Sequence, residues 1–156
     1  MTTISSRIES DADFRTALGD LTVASQRQLG KRFVDHIIEL TDSSKVNQAM
    51  AYIDEIEASS EQEIADAYRM VKAAAIESYT LCGNEGDWRK QAAHFVAAAA
   101  AACLSPQPGR GGDLAWSTAM NARMARLCDK IAEGAGDDNN EAKDQYRILE
   151  SFLNLS

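Results

Sequence analysis

The residues of this chain best suited to hold a metal or move a proton are two histidines, His36 and His94, and three cysteines, Cys82, Cys103 and Cys128. Metal centres inside helical bundles use Glu-x-x-His, because residues three apart share one face of a helix. Phe33 stands three before His36 and Gln91 three before His94, so this spacing fails at both. Asp35, His36 and Glu39 offer donors from a single segment, and a site built on them would need two companions from another helix. The expectation is a solvated polar face around His36 and a hydrogen-bonded, half-buried imidazole at His94. The cysteines form no Cys-x-x-Cys pair, which excludes a zinc knuckle. Each has a leucine neighbour (Leu81, Leu104, Leu127), as suits reduced thiols packed as small hydrophobes.

Two loops carry partial motifs. Gly109 to Asp113, "GRGGD", precedes a helix but lacks the Gly-Lys-Ser/Thr ending of a phosphate-binding loop, and no strand leads into it. Asp137 to Glu141, "DDNNE", begins like a calcium loop without the glycine at the sixth position or the spaced glutamate. Helix capping is the expected role of both. No Gly-x-Ser-x-Gly elbow occurs. The sequence therefore predicts no catalytic set, no cofactor and no metal ligands.

One charge pattern is stronger. Between Val46 and Tyr68 the acids are Asp54, Glu55, Glu57, Glu61, Glu63 and Asp66, with no Lys or Arg. The segment reads as a helix end, a tight turn and a helix start, so these acids gather at one corner. Glu61 and Glu63 suit the positive end of their helix, whereas Glu55 and Glu57 sit unfavourably at a helix C-terminus. Asp54, Glu55, Glu57, Glu61 and Glu63 are accordingly the candidate partner-binding residues, since uncompensated acid steers a basic protein surface.

The elements that would position these groups are helical. "HFVAAAAAACL", His94 to Leu104, is uncharged and holds six consecutive alanines. As a helix, the apolar run Ala92–Leu104 reaches about 20 Å, short of the roughly 30 Å of a bilayer core. Alanine has the highest helix propensity, so the run is predicted to be the central helix of a bundle, capped by Asp87 and closed by Pro106 and Pro108. Leu29, Phe33, Ile37 and Leu40 mark a helix over about 22–40, and Val46, Met50, Ile53 and Ile56 another over about 44–57. Ser60 and Glu63 form a capping box for a helix facing inward with Ile64, Tyr68, Val71, Ala75, Tyr79 and Cys82. Asp113 opens a helix carrying Trp116, Met120, Met124, Leu127 and Ile131, and Ala142, Tyr146, Leu149 and Leu153 mark the last. With a short helix near 11–18, this predicts a single all-α domain over residues 1–156, of six to seven helices. The net charge of −8 opposes nucleic acid and anionic membrane as partners. "MTTISSRIESDADF" has no basic start followed by an apolar run, so a cytoplasmic location is expected.

The succession "RFVDHIIEL", "EQEIADAYRMVKAAAIESY", "WRKQAAHFVAAAAAAC", "LAWSTAMNARMARLCDKIA" and "DQYRILESFLN", from about Arg32 to Leu153, resembles the all-helical, alanine-rich bacterial immunity proteins of toxin–immunity systems. The resemblance implies a non-enzymatic protein that neutralises a cognate toxin by docking to it. The alternative expectation is a regulatory or adaptor module binding another protein, or a small ligand between helices.

Overall fold

The computed structural model describes residues 7–53, 61–82, 87–105, 113–134 and 140–155. Among them are seven α-helices and no strand: α1 (Asp11–Gly19), α2 (Val23–Asp35), α3 (Ser44–Ile53), α4 (Glu61–Cys82), α5 (Trp88–Leu104), α6 (Asp113–Ala132) and α7 (Glu141–Leu155), with a 3₁₀ turn at Ile38–Leu40 between α2 and α3. None of the described helices is long and apolar enough to cross a membrane.

Local chemistry sets the helix starts. The Ser10 hydroxyl accepts the Asp13 N–H at 3.1 Å, and Thr22 accepts the Ser25 N–H at 3.1 Å. Ser43 accepts the Val46 N–H at 3.3 Å, and the Asp87 carboxylate accepts the N–H groups of Arg89 and Lys90 at 3.0 and 3.2 Å. Each satisfies donors that the first turn of a helix leaves without a carbonyl. The capping box of Ser60 with Glu63 lies outside the described residues, because Ser60 does.

The continuous helix expected over 22–40 divides after Asp35. Ile37 donates its N–H to the Val34 carbonyl at 2.9 Å and Leu40 donates to Ile37 at 3.0 Å, so the chain tightens into the 3₁₀ turn. This carries Ile37 into complete burial and leaves the His36 carbonyl for a neighbouring helix to claim.

Helix α5 packs against α2, α3, α4 and α6. Its buried residues are nearly all small: Ala92, Val96, Ala97, Ala99, Ala100, Ala101 and Cys103, with Leu104 at the end. Gln91, Phe95, Ala98 and Ala102 run along the one side that stays partly open, so the helix is enclosed on most of its circumference. Helix α6 also buries small residues completely: Ala122 and Ala125 join the cluster of α5, while Ala115 and Ala119 join the one around Phe14, and Thr118 is buried with them. The bulkier stripe of α6 is displaced to its flanks, where Trp116 and Met120 half-bury against the α1 and α7 side and Met124 is 40% exposed. Small side chains win the centre because only they let two backbones approach closely.

Two clusters of core residues result. One joins Val34 and Ile37 to α3, α4, α5 and the middle of α6. The other centres on Phe14, whose ring lies 5.8 Å from Phe33, 6.1 Å from Trp116 and 5.4 Å from Tyr146, in the tilted geometry that aromatic pairs favour. Helices α2 and α6 contribute to both clusters and hold them together.

Gly30 marks the close approach of α2 to α5. A Cβ placed there would lie 3.0 Å from the Cys103 sulfur, which is itself pinned by donating to the Arg27 carbonyl at 3.3 Å. Gly30→Ala should therefore lower stability, although alanine at a helix interior is otherwise favoured by roughly 0.5–1 kcal/mol. In a Cys103→Ala background the same substitution should become stabilising. Chemical denaturation of the four chains checks this, and equal effects in both backgrounds would contradict it. Ala99 and Ala100 are fully buried. Replacing either by Leu should cost on the order of 1–3 kcal/mol through overpacking. Unchanged melting temperatures for both variants would refute the packing described above.

Candidate functional site

The acidic corner divides at the edge of the described residues. Asp54, Glu55 and Glu57 lie outside them, Glu61 is the first residue of α4, and Glu63 is exposed on its first turn. Asp66, one turn further, accepts from Gln62 Nε2 at 2.9 Å and forms an ion pair with Arg69.

A second constellation, invisible in the spacing of any one helix, is assembled by two arginines three residues apart on α6. Arg123 donates from both terminal nitrogens to Asp11 of α1 at 2.8 and 3.1 Å, and from Nε to Gln145 of α7 at 2.9 Å. Tyr146 donates its hydroxyl to the same Asp11 at 2.8 Å, and the guanidinium lies over the Phe14 and Tyr146 rings. Hydrogen bonds from Arg123 outweigh desolvation and hold the Asp11 carboxyl below its usual range, while burial and the Asp11 carboxylate push the Tyr146 phenol up. Fully buried Gln145 completes the tie by donating to the Ala119 carbonyl at 2.9 Å.

Arg126, one turn on, claims the His36 carbonyl at 3.0 Å, Glu39 at 3.2 Å and Glu141 at 3.2 Å. Its own helix supplies Asp129 at 3.6 Å, and Arg89 of α5 approaches the other oxygen of Asp129 at 3.8 Å. Burial alone would depress the guanidinium, and the carboxylates of Glu141 and Glu39 more than reverse that. The Glu141 side chain is only 1% exposed. Its second oxygen lies 2.9 Å from His36 Nδ1, and Asp144 of the same α7 turn lies 3.6 Å from His36 Nε2. The two companions that Asp35, His36 and Glu39 lack on their own segment are thus brought in by α7. Beside them a groove of about 450 Å³ runs between α2 and α7, lined by Arg32, Asp35, His36, Arg147, Ile148 and Ser151. The chain separation between His36 and Glu141 hides this group from spacing rules. The available signal was the pair Arg123 and Arg126 on an otherwise alanine-rich face.

His94 takes the half-buried position expected of it. Its Nδ1 lies 3.0 Å from the Ala75 carbonyl and 3.1 Å from Ser78 Oγ, and Ser78 itself donates to Ala75 at 3.0 Å. The carbonyl can only accept, which assigns the ring hydrogen to Nδ1 and ties α4 to α5. Cys103 is fully buried and its thiol is pushed up to about 12, as for a packed hydrophobe rather than a nucleophile.

Comparison of the chain with protein-family models, with curated proteins and with solved structures finds no match.

Desolvation lowers the His94 pKa, and its bond to the Ala75 carbonyl only partly opposes this. The unfolded chain therefore binds that proton better than the folded one, so His94 makes stability fall as the pH drops below the ordinary imidazole value of about 6.5. His94→Gln keeps a donor for Ala75 and removes the titration. The advantage of wild type over the variant in urea melts should shrink from about pH 7.5 to pH 5.5. A difference that stays level or grows toward acid would contradict the assignment.

Proposed function

We propose that the chain is a non-enzymatic binding protein that docks a basic protein through its acidic surface, in the manner of an immunity protein neutralising a cognate toxin. The observation that supports this most is how charge is divided. The buried carboxylates Glu141 and Asp129 and the largely covered guanidiniums of Arg123 and Arg126 pair helix to helix. Among the described residues the buried carboxylates are thereby paired, and the chain as a whole carries a net charge of −8. Glu63 on α4 is one exposed part of it, beside Asp54, Glu55, Glu57 and Glu61 in sequence. Such a surface raises association rates with a basic partner and rejects acidic ones.

A specific feature favours the second reading, a module holding a small ligand between helices. A groove of about 390 Å³ lies where α3, α4 and α5 meet. Lys45, Lys90, Glu77 and Ser78 line it over a floor of Ala74 and Ala93, a mixed-charge lining suited to a small polar molecule.

The test of the docking reading is co-expression with the product of the neighbouring gene, followed by binding kinetics. The chain should relieve that protein's toxicity. Combined replacement of Asp54 by Asn and of Glu57 and Glu61 by Gln should slow association and flatten its salt dependence, with folding changed by no more than about 0.5 kcal/mol. Absence of rescue defeats the immunity reading; equal rates and salt slopes for wild type and the triple variant defeat the role of the acidic corner.

A further inference from the structure

We propose that His36 Nε2 and Asp144 Oδ2 form the protein side of a site for a borderline divalent cation, with zinc as the reference case and Glu141 as its positioning carboxylate. The orientation of the ring comes first. Glu141 is held through one oxygen by Arg126 Nε at 3.2 Å, and its other oxygen meets His36 Nδ1 at 2.9 Å. A carboxylate engaged by a guanidinium accepts rather than donates, so Nδ1 carries a hydrogen, and in the neutral form of the ring the lone pair sits on Nε2. A buried carboxylate fixing the tautomer of a metal-facing histidine is the usual outer partner of such ligands, and it raises the basicity of the ring.

The second observation is a distance. Nε2 and Asp144 Oδ2 stand 3.6 Å apart. That is longer than an N–H···O hydrogen bond, which spans about 2.7–3.2 Å. It suits two ligands about 2.0–2.2 Å from one ion at a near-tetrahedral angle, which places them roughly 3.4 Å from each other. The spacing leaves room for a cation between the two atoms.

Charge is the third. Glu39, Asp129 and Glu141 surround Arg126, Arg89 approaches Asp129, and Asp144 stands on the far side of the His36 ring. Asp144 thus brings a carboxylate to Nε2 that the Arg126 network does not use, while Arg32 and Arg147 line the groove beside it. Asp35, the other acid beside His36, is already paired with Lys31 at 2.7 Å. His36 and Asp144 keep side-chain exposures of 33% and 49%, so an ion can enter and water can complete its shell. A bound cation would join the end of α2 to the first turn of α7.

The test is imidazole nitrogen NMR on the full chain during titration with zinc sulfate, with His94 as an internal reference. Without zinc, His36 should show the Nδ1–H tautomer. Zinc should shift its Nε2 signal saturably at one equivalent and leave His94 unmoved. Asp144→Asn, at an exposed position, should weaken the response at least tenfold, and Glu141→Gln by about 10–100-fold, the usual loss when an outer partner is changed. Circular dichroism reports whether Glu141→Gln still folds, and Asp144→Asn decides the matter if it does not. The proposal is overturned by any of three results: no saturable shift at His36, wild-type affinity in Asp144→Asn, or an Nε2 signal that responds to pH and not to zinc.

Discussion

The contact between α5 and α6 is the constraint on which the rest of the structure depends. Both helices present methyl groups to their shared core where most bundles present leucines, Ala97, Ala99, Ala100 and Ala101 on one and Ala122 and Ala125 on the other. A methyl buries little area, at roughly 0.8 kcal/mol per carbon, so the contact is useful only through closeness. Closeness in turn limits its neighbours. Where α2 crosses α5 the chain needs Gly30 against Cys103, and the large residues of α6 can pack only to the side.

Beyond the apolar contacts of Trp116, Met120, Ala115 and Ala119 with the Phe14 cluster, α6 holds α1, the 3₁₀ turn and α7 by polar ties. Arg123 and Arg126 supply those ties. A carboxylate as enclosed as Glu141 is costly to strip of water, and the guanidinium and imidazole beside it offset that cost through short, directed bonds. Directed bonds also specify geometry. The aromatic cluster around Phe14 would tolerate rotation of α7, whereas the bonds from Arg123 to Asp11 and Gln145 and from Arg126 to Glu141 fix one register. The polar interior is thus the part that sets how α7 docks.

This division bears on how binding would work. A frame whose inner charges are matched can carry an acidic exterior without strain at the core, so surface charge is free to vary with the partner. The acids beside the start of α4 and the group around His36 differ in this respect. Glu63 is exposed on the surface of α4. Glu141 is part of the frame, and a change there would alter both packing and whatever His36 binds.

Much of the helical architecture was legible in the chain because it rests on neighbours in sequence. Asp87 as the cap of α5, the start of α2 near Thr22 and the end of α5 at Leu104 all follow from residues within a turn of one another. The alanine run declared a helix that others enclose, and the half-buried, hydrogen-bonded state of His94 followed from its place one turn before that run. Three matters were decided only by tertiary structure. The helix over 22–40 breaks after Asp35 into a 3₁₀ turn that buries Ile37, and Arg126, far along the chain, donates to the His36 carbonyl this leaves free. The bulky stripe of α6 yields the centre to its small residues because the close approach of α5 leaves room there for methyl groups and not for large side chains. His36 meets Glu141 and Asp144 because α7 folds back across α6. Periodicity and capping record contacts made within a helix, and a site whose members come from different helices leaves no such period to read.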